Sequence, residues 1–176
     1  MTNEAIIITA TAQDRVDSPL VGGERAMLTA FLDWQRATLA WKCSGLTAGR
    51  LALRSVEPSG MSLLGLLRHL TEVERGWFAR TIGEQEVTPI FYSPERRDDD
   101  FDDLGSHPAD EVYQTWLAAC EDSRRIVADH DLDYEGHGRT RAYSLRWVLL
   151  HMIEEYARHN GHAVLLRERI DGTVGE

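Results

Sequence analysis

Four polar side chains, His151, Glu155, His159 and His162, have the types and spacing for shared chemistry. They stand at i, i+4, i+8 and i+11, so a helix would place them near one line of its surface. An apolar stripe runs beside that line: Leu145, Val148, Leu149, Met152, Tyr156, Ala163, Leu166 and Ile170. At about 100° per residue, His159 falls inside this stripe and Glu155 roughly 60° from its centre, with His151 and His162 further round. The two most inward polar groups are therefore a carboxylate and an imidazole four residues apart. A buried Glu is costly unless it is paired or bound to a metal, so this spacing calls for a partner.

Glu155 and His159 can hold one metal ion from a single helix face, and a third donor must come from another helix. His69 is the best candidate, because it lies at the edge of a second apolar stripe and is the only His well inside a helix other than the last. His107, His130 and His137 fall at helix ends or in turns. The set His69, Glu155 and His159 has two imidazoles and one carboxylate, which leaves coordination positions open, as in catalytic zinc sites. Nickel or ferrous iron suits similar ligands. The competing account makes His159 a hydrogen-bonded core histidine and pairs Glu155 with an arginine, Arg68 foremost.

The elements that must position these groups follow from periodicity and punctuation. Residues 1–21 read as an extended, strand-like arm, closed by Pro19 and the Gly22-Gly23 pair. Helical spacing of apolar residues predicts helices over 24–43, 63–82, 108–130 and 144–171. Ser62 and Ser144 are the expected N-caps of the second and fourth, Pro108 the first-turn residue of the third, and Gly83 the end of the second. Glu74 falls inside the second apolar stripe and is a candidate for orienting a ligand; Glu72 lies opposite and should be solvated. The long connection at 84–107 carries Asp98, Asp99, Asp100, Asp102 and Asp103. Their spacing does not match a calcium loop, so a solvated surface loop is expected, long enough to serve as a lid over a site. Residues 131–143 read as a polar turn. Four amphipathic helices with one stripe each predict an all-α, four-helix bundle with long inter-helix loops, in a single domain spanning 1–176.

The net charge of -10 argues against nucleic acid and anionic membranes as partners. Of the 19 basic residues, 18 are Arg and one, Lys42, is Lys. Arg68, Arg158 and Arg167 read as charges on solvated helix faces, with contact to an anionic thiol or substrate as the sharper alternative. Cys43 and Cys120 adjoin apolar helical sequence and are expected as buried free thiols. The apolar run near the N-terminus lacks a basic flank and follows Glu4, so a secretory leader is not expected. No run approaches the ~20 apolar residues of a membrane span. The expected location is the cytoplasm.

The blocks SLLGLLRHLTEVERGWF (62–78) and SLRWVLLHMIEEYARHNGHAVLLRERIDG (144–172) resemble the DinB/YfiT-like superfamily. Within it they are most similar to the branch related to mycothiol-dependent enzymes of the maleylpyruvate isomerase type. Helices one and three match in pattern only, and the arm does not match. The resemblance implies a four-helix bundle, usually a homodimer, with a divalent metal held by one ligand on the second helix and two on the last. Carried over, the ligands are His69, Glu155 and His159; many members have three His, and Glu155 in the middle place is the pattern of the isomerase branch. The implied chemistry is attack on a small electrophile by a low-molecular-weight thiol such as mycothiol, bound to the metal as thiolate. Glu74 and His151 would be candidates for orienting the ligands. The alternative is a metal-binding or stress-associated helical dimer without turnover.

Overall fold

The computed structural model describes residues 5–175 of the 176. Helix dominates, and the only sheet among the described residues has two short strands. The long helices are α1 (Glu24–Cys43), α3 (Leu63–Glu74), α5 (Ala109–Asp129) and α6 (Leu145–Asp171), with short turns α2 (Ala48–Leu51) and α4 (Asp99–Asp102) between them. The expected helix limits are met to within one residue at nearly every end. Ser62 Oγ accepts from the Gly65 amide at 3.0 Å and Ser144 Oγ from the Trp147 amide at 3.2 Å, satisfying donors that a bare helix start would strand. Helix α6 ends where Gly172 adopts φ 77°, a left-handed conformation that glycine enters without penalty.

Helix α3 does not stop at Glu74. It continues as a wider, π-helical segment over Arg75–Ile82, closed by the Gly83 amide donating to the Phe78 carbonyl at 2.7 Å. Such turns are rare and recur at functional sites. Helix α1 packs along α6, and α3 packs against both α5 and α6. Leu63, Leu66, Leu67 and Leu70 of α3 are fully buried with Leu145, Val148, Leu149 and Met152 of α6; each contributes about 1.5–3 kcal/mol on burial. No helix among the described residues is long and apolar enough to cross a membrane.

Three segments differ from expectation. The arm is extended around residues 6–10, as expected, but makes a 3-10 turn at Ala12–Asp14, and it is tied in rather than free. The Ile7 amide donates to Leu46 O at 3.2 Å, the Gly45 amide to Ile8 O at 2.8 Å, and Ile8 lies in the core. Its first four residues, Glu4 among them, lie outside the described residues. The expected polar turn is an antiparallel hairpin, β1 (Glu135–His137) with β2 (Ala142–Ser144), too short for period-two patterning to register. A Cβ on Gly136 would stand 2.2 Å from Thr81 O, so only glycine lets the hairpin lie against the π segment. Last, the connection before α5 is not a solvated loop throughout. Arg68, expected on a surface, is buried beneath it and donates to the carbonyls of Asp100 (3.0 Å), Asp99 (2.9 Å) and Phe91 (3.4 Å). Glu72, expected in solvent, is also buried and accepts from the amides of Ile90 (2.5 Å) and Phe91 (2.7 Å).

Candidate metal centre

Helices α3 and α6 bring His69, Glu155 and His159 together, with one ligand atom of each lying within 4.8 Å of the others. His69 Nε2 is 3.5 Å and His159 Nε2 3.3 Å from the same oxygen, Glu155 Oε1. The two rings stand 4.8 Å apart, centre to centre, at 63°. Donors about 2.0–2.2 Å from one tetrahedral zinc ion sit about 3.3–3.6 Å from each other, so the two separations to Glu155 suit a shared cation. They are long for the direct charge-assisted hydrogen bonds that a closed ion-pair network would prefer.

Each donor is held from behind. His69 Nδ1 lies 2.9 Å from Asp100 Oδ2, on α4, which leaves Nε2 turned toward Glu155. Phe101 of the same turn sits 5.1 Å from the His69 ring. That turn docks closely because residue 65 is glycine; a Cβ there would meet Phe101 Cδ1 at 2.9 Å. His159 Nδ1 lies 3.3 Å from His162 Nδ1, and Glu155 Oε2 lies 3.8 Å from Arg158 Nη1. A carboxylate behind a ligand imidazole is the usual device for fixing its tautomer.

The electrostatics separate the two imidazoles. Burial opposes charge on His69, but the hydrogen bond and charge of Asp100, aided by Glu155, outweigh it and raise its pKa. Burial and repulsion from His69 push His159 down to about 4. Burial works against the Glu155 anion, yet the charges of His159 and His69 hold its carboxyl below the usual range.

Other candidates belong elsewhere. Glu74 does not orient a ligand: fully buried, it takes both Arg36 Nε and Arg36 Nη2 at 2.7 Å and the Tyr156 hydroxyl at 2.8 Å. Arg68 does not pair with Glu155, since its guanidinium is engaged by the acidic turn. His151 stacks on Trp147 at 4.9 Å and meets the Trp77 edge at 4.8 Å. Arg167 holds Asp171 and the Lys42 and Ser44 carbonyls. Cys43 and Cys120 are buried free thiols, as expected, and burial pushes Cys43 up to about 12. Sequence reasoning missed Asp100. Its only signal was Phe101, an aromatic residue that a fully solvated acidic run has no reason to carry.

The helices and this cluster define a class: a mostly helical protein with a two-histidine, one-carboxylate site near the middle of its longest helix. The model of the mycothiol S-transferase family matches residues 27–172, and the chain belongs to that family, within the DinB/YfiT-like superfamily. No curated protein matches it.

Proposed function

We propose that the protein is a divalent-metal-dependent S-transferase or isomerase that joins a low-molecular-weight thiol, mycothiol or a close relative, to a small electrophile. The observation that carries this reading is the convergence of His69, Glu155 and His159, within a mycothiol S-transferase family chain, on a spacing that one cation fits. The donor chemistry suits the ion, with two imidazole nitrogens and one carboxylate oxygen and positions left open for exogenous ligands. Zinc is the first choice, with nickel and iron next.

A bound divalent cation would supply charge that lowers the pKa of a thiol and stabilises developing anions. The residues of the chain do the rest. Asp100 fixes which His69 nitrogen is free. His159 stays neutral well below pH 7, which keeps its lone pair available. Glu155 stays ionised beside both rings. The four long helices are taken as one DinB/YfiT-like bundle domain, active as a cytoplasmic homodimer.

Metal analysis after growth with zinc, nickel and iron present is the test. Close to one equivalent per chain is expected, and a large loss in His159→Ala. Metal-dependent consumption of mycothiol with an activated haloalkane should follow. Clearly substoichiometric metal would defeat the enzyme reading, and full metal without any thiol chemistry would favour the non-catalytic dimer.

A further inference from the structure

A cavity of about 580 Å³ opens beside His69, and its lining has a chemistry that the metal ligands do not explain. Three separate elements each place an arginine in its wall. Arg80 comes from the π segment, Arg97 from the connection before α4, and Arg139 from the turn between β1 and β2. The two carboxylates that also border the cavity are already engaged. Glu72 accepts from the Ile90 and Phe91 amides and pairs with Arg75 at 3.4 Å, and Asp100 faces His69. Arg80 donates once, to Val87 O at 3.2 Å. Arg97 and Arg139 have no hydrogen bond or ion pair with any described residue.

The apolar part of the lining is aromatic. Trp77 and Tyr143 meet edge to face, with ring centres 5.1 Å apart at 87°, and both border the cavity. The π-helical widening of α3 covers Gly76, Trp77, Arg80 and Thr81, all four of which line it. A rare backbone form thus coincides with the cavity wall rather than with the metal ligands. Flat rings favour a flat, unsaturated guest, and guanidiniums favour a planar carboxylate that they can grip with two N–H groups.

We infer that this cavity is the electrophile's site, and that it selects an electrophile bearing a carboxylate on a flat unsaturated or aromatic body. The inference rests on the proposed function only in giving the guest the role of electrophile; the anion selectivity is a property of the cavity alone. Arg97 and Arg139 are exposed and support no other element, so Arg97→Gln and Arg139→Gln leave the fold intact.

Calorimetric titration of metal-free protein with naphthoate, and with naphthamide as its uncharged counterpart, tests this directly. Naphthoate should bind about ten-fold more tightly than naphthamide, as expected for charge-assisted recognition. The Arg97→Gln, Arg139→Gln double variant should abolish that difference while leaving naphthamide affinity within about two-fold. Saturating mycothiol on metal-loaded protein should leave naphthoate bound. Equal affinities for the two probes, or a selectivity that survives in the double variant, would overturn the anion site; displacement by mycothiol would overturn its assignment to the electrophile. Because the first titration contains no metal, selectivity in a protein that fails to hold metal would retain this site while removing the enzyme reading, and metal without selectivity would do the reverse.

Discussion

Asp100 turns His69 from a ring with two equivalent nitrogens into a donor with one nitrogen to offer. Replacing it by Asn keeps the shape and removes the charge. Asp100→Asn should weaken zinc affinity about 10–100-fold, the usual cost of losing a partner behind a ligand histidine; chelator competition measures it, and unchanged affinity would detach Asp100 from the site. The same carboxylate raises the pKa of His69, so protons compete with the metal there at higher pH than for an ordinary histidine. Zinc affinity should therefore fall as pH drops through the raised value, and the midpoint should move to lower pH in the Asn variant. In metal-free protein the two ligand rings should titrate apart by NMR, His69 above the free value of about 6.5 and His159 near 4. His159 makes the unfolded chain the better proton binder between those limits, so it costs stability as pH falls from about 6.5 toward 4. His69 acts with the opposite sign. It adds stability below about 6.5, and that contribution is lost as pH rises through its raised value. The Arg36–Glu74 pair lies outside this chemistry. Glu74→Ala strands a buried guanidinium and should cost about 3–5 kcal/mol in denaturant unfolding while leaving metal stoichiometry untouched.

At the level of elements, long amphipathic segments were legible and short ones were not. A 20-residue α1 and a 27-residue α6 repeat their apolar spacing often enough to stand out, and serine caps mark where α3 and α6 begin. Helix α4 has four residues and each hairpin strand has three, so no period can accumulate. Their positions come from tertiary contacts instead: Arg68 beneath the acidic turn and Gly136 against Thr81. The angular reading of α6 correctly drew Glu155 and His159 inward. The same reading misplaced Glu72 in solvent, because the 84–107 connection covers a helix face that would otherwise be wet. Gly136→Ala puts a methyl group into backbone that cannot yield, and should cost about 1–3 kcal/mol, or more if the hairpin lifts away. Circular dichroism melting would register it, and a stability equal to that of the parent protein would show that the hairpin does not bear on the π segment.

For the whole molecule, the candidate site joins residues that are distant in the chain, 69, 100, 155 and 159, so a ligand there ties folding to binding. If zinc binds only the folded form, free zinc at 100 times Kd should raise unfolding stability by about 2.7 kcal/mol. That gain should disappear in His159→Ala, and an equal gain in both proteins would place the ion elsewhere. The sequence made two of the three long-range relations legible, the helix pair and its clustered His69, Glu155 and His159, since both live in helical spacing. The third, the acidic turn folded back over His69, depends on an arginine whose burial no periodicity announces. That anchoring bears on how the molecule breathes. The 84–107 connection is fastened at two places, the acidic turn by Arg68 and the 90–91 stretch by Glu72, so it forms a fixed wall rather than a hinged cover. The amides of Ile90 and Phe91 should accordingly exchange with deuterium as slowly as those of the helical core. Small molecules would then enter and leave without a gating motion, and traffic through the site would be limited by diffusion and chemistry rather than by the opening of the chain.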